Sequence, residues 1–342
     1  MKKSLIALAV LAASGAAMAQ SSVTLYGVLD TGLTYSKGEE SVYGMTHVGG
    51  NVNSRLGFRG VEDLGNGLKA TFNLESGFSA DDGTNYMGQD GLAFTRTSTV
   101  GLAGNFGEVR LGRMLTSSYL AVSRYDAFGD TGIGASLAWN IPQTGYAPRT
   151  ENAISYTSPN FSGFKIGAEY GFGEKQKARD SRYFGMGATY DNGPLSLGLG
   201  YARLNSNTMD GLLAASDLKT VHLGGAYNFG VAKLLAFYKQ SKVSNAPKFK
   251  TFGLGVSAPV GAAGEVRASY NNYKISDDNG KADQLSLGYV HNLSKRTALY
   301  GTYSYIKNKD GLDFELNGAM GGAGLKDGEK QHGLQLGIRH AF

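Results

Sequence analysis

Residues able to make or break bonds are sparse in this sequence. Its five histidines, at 47, 222, 291, 332 and 340, are scattered, no G-x-S-x-G or H-E-x-x-H spacing occurs, and there is no cysteine. Nucleophilic, zinc-hydrolytic and thiolate chemistry each need such groups at set distances from one another. No catalytic residue, resident metal or cofactor is therefore assigned. Gly253-Leu-Gly255-Val-Ser-Ala258 fits a loose dinucleotide fingerprint, but it sits inside a strand pattern instead of at a strand-to-helix turn. Asp277-Asp278-Asn279-Gly280 lacks the downstream ligand spacing of a calcium loop and reads as a turn. His222, on the polar side of its segment, is expected to be solvated. What is left is fixed charge. Arg55, Arg59, Arg96, Arg110 and Arg149 are read on the polar side of segments whose other side is apolar. Arginine stays charged at any relevant pH. A set of them facing water would act on ions through their field, without bond-making.

The elements that must position those arginines are β-strands. In the last eleven residues, His332 to Phe342, Leu334, Leu336, Ile338, His340 and Phe342 take one parity, and Gly333, Gln335, Gly337, Arg339 and Ala341 take the other. A period of two with unlike faces is a strand. The same pattern runs through segments near 23–35, 54–61, 68–78, 91–102, 106–114, 149–157, 163–172, 182–190, 195–203, 219–229, 231–241, 249–258, 264–273, 282–292 and 296–306, which makes sixteen in all. In 231–241 both parities are apolar. Charged pairs such as Arg55 and Arg59, or Lys69 and Glu75, would be costly on the inner face of a packed core. They cost little against water, so the polar faces are expected to surround a wet lumen and the apolar faces to meet lipid. A soluble sandwich also alternates and is the competing architecture.

The N-terminus bears on that choice. Lys2 and Lys3, the apolar run from Leu5 to Ala13 and the small residues Ala17-Met18-Ala19 form a secretory signal peptide pattern with cleavage expected after Ala19. Residues 1–19 are thus read as a leader and 20–342 as one domain. The formal charge is only +5, two of it from Lys2 and Lys3, and no basic tract resembles a nucleic-acid patch. Beyond the leader no apolar run approaches the ~18–20 residues a membrane helix needs. Glycine is abundant (51 residues) while proline is rare (6), which is not a disordered composition.

Connections alternate in length. Short ones lie near 63–66, 103–105, 158–162, 191–194, 228–231, 259–263 and 292–295. Long, polar ones lie at 36–53, 79–90, 115–148, 173–181, 204–218, 242–248, 274–281 and 307–331. That puts all short turns at one end and all long loops at the other, as in outer-membrane barrels. All six prolines, at 142, 148, 159, 194, 247 and 259, are placed in connections. The stretch 115–148 is the longest, and its Phe128, Ile133, Leu137 and Trp139 need something to pack on.

Several stretches carry a more specific signal: SSVTLYGVLDTGL, SRLGFRGVEDLGNGLKATFNLE, VGLAGNFGEVRLGR, RTENAISYTSPNFSGF and the Phe-terminated last strand. Together they resemble the general porins of Gram-negative outer membranes, in the beta-proteobacterial style, over essentially the whole chain after the leader. The resemblance implies a 16-stranded antiparallel transmembrane β-barrel, assembled as a homotrimer in outer-membrane lipid, with the third extracellular loop folded into the pore. That loop is 115–148. Its Tyr125-Asp126-Ala127-Phe128-Gly129-Asp130 resembles the family's acidic segment, which makes Asp126 and Asp130 the expected loop carboxylates at the constriction. Arg55, Arg96 and Arg149 match basic wall positions; Arg59 and Arg110 are further candidates by parity. Where some members carry lysine just after LYG, this chain has Val28. Charges clustered across a narrow wet gap orient dipolar solutes and sort ions. The expected function is passive diffusion of small hydrophilic solutes and ions with weak anion preference. The alternative is a channel selective for one small anionic nutrient. A barrel-embedded hydrolase is disfavoured by the scattered histidines, and no nucleic-acid partner is expected.

Overall fold

The computed structural model describes residues 22–47, 49–85, 91–139, 148–174, 181–205, 217–244, 246–276, 280–318 and 325–342. The leader 1–19, Pro142 and Asp277 to Asn279 lie outside them. The described strands are β1 (Ser22–Lys37), β2 (Ser41–Met45), β3 (Arg55–Gly65), β4 (Leu68–Gly77), β5 (Thr97–Gly104), β6 (Gly107–Leu115), β7 (Arg149–Thr157), β8 (Phe164–Gly171) and β9 (Tyr183–Asn192). They continue as β10 (Leu195–Asn205), β11 (Asp217–Asn228), β12 (Lys233–Val243), β13 (Lys248–Val260), β14 (Gly264–Ile275), β15 (Lys281–Asn292), β16 (Thr297–Lys309) and β17 (Lys330–Ala341).

From β3 onward each strand pairs antiparallel with the next, and β1 pairs with β17 from Val28–Ala341 to Lys37–His332. One sheet closes on itself, which rules out the sandwich. Closing the sheet removes the open edges that would otherwise invite aggregation. Phe342 completes the seam. Its N–H donates to the Gly27 carbonyl and its carbonyl accepts from the Gly27 N–H, both at 3.1 Å. Its ring lies where a side chain at position 27 would stand, so glycine is required there.

The barrel has sixteen places, although seventeen strands are described. The upper half of β1 (Leu33–Lys37) pairs with β2, and its lower half (Ser22–Val28) pairs with β3. β2 and β3 therefore share one position in the ring, separated by 46–54. Sequence periodicity places this whole stretch in a long loop, because five residues of SVYGM are too few to show a period. The segment 91–96 also differs from expectation: β5 starts only at Thr97. Pro259 stands inside β13, opposite Glu265 at the hairpin end where a missing N–H is tolerated.

Outward side chains form an apolar band. Leu25, Leu33, Val100, Leu199, Leu223, Leu287 and Leu336 are all exposed. In a soluble chain so much contiguous apolar surface would be a liability; around a barrel it is the lipid face. Aromatics flank it: Phe106, Phe161, Phe229 and Phe342 near the short turns, and Tyr35, Tyr43, Phe172 and Tyr303 toward the long loops.

Candidate pore constriction

The chain between β6 and β7 leaves the wall and packs on its inner face. It begins with a helix, α1 (Ser117–Val122), and contains 3-10 turns at Ser123–Tyr125 and Leu137–Trp139. The helix has no side-chain cap of its own. The Ser117 N–H is instead taken at 2.9 Å by Glu169, an inward carboxylate of β8. Glycines on the inner faces of neighbouring strands make the seat. A Cβ at Gly187 or Gly198 would strike the backbone of Ser117 or Ala121, and one at Gly224 the Tyr125 ring. Val122, Tyr125, Ile133 and Trp139 are almost completely buried.

Farther along, the Trp139 ring lies 5.2 Å from that of Phe237 and 5.8 Å from that of His222. The Lys239 ammonium donates to the Ala138 carbonyl. This contact explains why 231–241 looks apolar on both faces: Leu235 and Phe237 point inward, but toward the loop and not toward water. His222 is likewise buried beneath Trp139, not solvated as its parity suggested. The Gln284 amide donates to the carbonyls of Ile133 (3.1 Å) and Ala135 (3.2 Å), while the Leu137 N–H donates to the Tyr273 hydroxyl at 3.0 Å. At the far end the Thr131 hydroxyl donates to the Gly49 carbonyl at 3.1 Å. That part of the first loop is held in turn by Asp30 of β1. Its carboxylate accepts the N–H groups of Gly50, Asn51 and Val52 and the Tyr300 hydroxyl at 2.7–3.1 Å.

Among the described residues, the loop thus covers the inner wall from β8 round to β17 and leaves β3 to β7 bare. On that bare arc stand the arginines. Arg96 Nε lies 2.6 Å from one oxygen of Glu75, and Arg55 Nε 3.7 Å from the other. Arg149 Nε donates to the Arg96 carbonyl at 2.9 Å. The polar-side parity expected for Arg96 does not hold, because strict alternation from the outward Val100 would send residue 96 outward. Arg96 reaches the lumen side because the chain departs from the strand just before Thr97. Facing this group from the loop is Asp130, which accepts the Tyr119 hydroxyl at 2.5 Å and the Asn53 amide at 3.3 Å. Arg55 in turn donates to the Asn53 carbonyl at 3.2 Å. Arg59 and Arg110 sit nearer the short turns: Arg59 lies over the Tyr26 ring at 5.2 Å, and Arg110 Nε is 3.7 Å from Glu108. Both line one recess with Thr24, Asn73 and Glu108.

Asp126 does not oppose the arginines. It is buried inside the loop, where its carboxylate accepts the N–H groups of Phe128 (3.0 Å), Ser136 (2.8 Å) and the Trp139 indole (3.1 Å). Burial pushes its pKa up to about 7, the lost hydration outweighing those donors. It shapes the loop. The group that sequence reasoning missed is Glu75, the carboxylate between Arg55 and Arg96. Its inward parity was visible; its proximity to them required the β3–β4 register that sets Glu75 opposite Gly57.

A sequence profile for a family described as Gram-negative porin matches residues 5–311. Outer membrane porin protein 32 of Delftia acidovorans is 49% identical over 360 residues, with the whole of both chains covered. This chain belongs to the Gram-negative porins. The porin is also 34% identical over 409 residues, again with both chains fully covered, to an outer membrane porin protein of Bordetella pertussis. Among solved structures it is similar to an anion-selective porin from Comamonas acidovorans, with a TM-score of 0.86 at 45% identity, covering 94% of this chain and 100% of that one. The 16-stranded antiparallel transmembrane barrel is that of its family, and the protein is an outer-membrane channel.

Proposed function

We propose that this porin is a weakly anion-selective diffusion channel for small hydrophilic solutes and ions. Its narrowest part is bounded by Arg55, Arg96 and Arg149 on the wall and Asp130 on the loop. The observation that carries this is the bare arc itself: Arg55 and Arg96 flank Glu75, Arg149 lies against the Arg96 carbonyl, and Asp130 is the carboxylate across from them. Three positive groups against two negative ones leave a small positive excess where the channel is most confined. Charges there are poorly screened compared with those in open solvent. The excess is small because Glu75 neutralises part of it, so the preference is weak. Arg59 and Arg110, beside Glu108, extend the same bias toward the short-turn end. The solved porin from Comamonas acidovorans, described as anion-selective, supports the sign.

In this reading the chain is exported with cleavage after Ala19, on the strength of its leader pattern, and assembles as a homotrimer, on the strength of the family resemblance, and it carries no catalytic role. The deciding experiment is a reversal potential in a planar bilayer under a KCl gradient. A potential on the chloride side of zero is expected; one on the potassium side ends the assignment. Conductance that saturates or blocks with one organic anion would replace the general pore with a nutrient-specific one.

A further inference from the structure

We propose that the long-loop end of this porin binds a divalent transition-metal ion between His47 of the first loop and Asp81 and Asp82 of the second. The three side chains come from two loops more than thirty residues apart in the chain, which is why no sequence spacing announces them. Their ligand atoms lie within 4.8 Å of one another, and His47 Nδ1 is 2.8 Å from one oxygen of Asp81.

A simple His–Asp ion pair accounts for only part of this. The second oxygen of Asp81, Oδ1, is buried with no hydrogen-bond partner among the described residues. An unsatisfied buried carboxylate oxygen is costly, and a bound cation would satisfy it. Asp82 is aimed by Thr84, whose N–H and hydroxyl both donate to its Oδ1 at 2.9 and 2.8 Å, leaving Oδ2 out of that turn. The frame is built before any ion arrives. The Ala80 N–H donates to the His47 carbonyl at 2.9 Å, joining the two loops, and the tip of the second is closed by Ser79–Thr84 and Gly83–Ser79 bonds. Little ordering remains to oppose binding.

The donor set selects the metal class. One imidazole nitrogen with two carboxylates suits zinc and its neighbours, whereas calcium and magnesium take oxygen ligands throughout. Three protein ligands leave room for water on the ion, and the two carboxylates supply matching charge. The ion would tie the second loop to the stretch that also carries Gly49, whose carbonyl receives Thr131 of the pore loop.

The test uses the full-length porin refolded in detergent, stripped with chelator and titrated with zinc chloride by calorimetry. One ion per chain is expected, with affinity lowered at least about tenfold in both His47→Gln and Asp81→Asn. A hundredfold excess of calcium should leave the zinc isotherm unchanged, as should His332→Gln. Copper substitution of the unmutated chain should give an electron paramagnetic resonance spectrum with a single strongly coupled nitrogen, a readout independent of any variant's folding. Absent binding, affinity unchanged in His47→Gln, displacement by calcium, loss in His332→Gln, or more than one coupled nitrogen would each overturn the site.

Discussion

The two arcs of the barrel's inner wall are built for opposite purposes from the same alternating strands. From β8 to β17 the inward positions are glycines, or residues such as Phe237, Tyr273 and Gln284 that engage the pore loop. From β3 to β7 they are Arg55, Glu75, Arg110 and their polar neighbours, with none of the described residues of the pore loop packed over them. One arc is a packed interface and obeys the rules of a core; the other is a wet charged surface. Inward parity alone does not separate the two. What distinguishes them is whether a second layer of chain lies on top.

That contrast can be broken most severely at Trp139. Trp139→Ala removes the largest side chain between loop and wall, and substitutions of that kind cost about 3–5 kcal/mol. The expected result is loss of hydrogen-exchange protection at Val122 to Trp139 together with a larger, noisier single-channel conductance. Gly198→Leu approaches the same seam from the wall side: overpacking against Ala121 and Tyr125 should cost about 1–3 kcal/mol and give a weaker version of the same phenotype. Quiet, unaltered channels in both variants would mean that the seat does not hold the loop.

Asp126 sharpens the comparison, since sequence would group it with the charged arc and structure puts it in the packed one. Its folded pKa of about 7 lies above the ordinary 3.8. A group raised in this way stabilises the docked loop fully below about pH 4, and that contribution is lost as pH rises through about 7. The thermal midpoint should therefore fall more steeply between those limits in the wild type than in Asp126→Asn. Parallel curves would place the carboxylate in water after all. The reversal potential of Asp126→Asn should stay put, whereas that of Asp130→Asn should move toward anions.

On the bare arc the expected effects are electrical and smaller in free energy. Arg55→Ala and Arg149→Ala should move the reversal potential toward cations, and Glu75→Gln should move it the other way. All three shifts should shrink toward 1 M salt, where screening acts over ~3 Å. The smallest shift is expected for Arg59→Ala, whose guanidinium lies over Tyr26 nearer the short turns. A shift there as large as that of Arg149→Ala would relocate the narrowest point.

Which parts were legible follows from how local each signal is. Strand parity is set by the geometry of successive peptides, so the lipid face, the terminal Phe342 and the long 115–148 excursion could all be read from residue order. Asp30 could not be interpreted that way, because the three N–H groups it accepts belong to residues beyond β2. Nor could Arg96, whose inward turn depends on where β5 begins, or Glu75, whose neighbours are fixed by register.

Taken alone, the sequence determined that this chain is built of strands with one apolar and one polar face, because nearly every segment carries that instruction in its own two-residue period; that the sheet closes around water was decided by the β1–β17 pairing. Tertiary structure alone decided which inward side chains meet the loop, which meet the channel, and that His47 stands beside Asp81. Those pairings join chain segments far apart in order, and an aperiodic loop writes no local pattern that could announce its path.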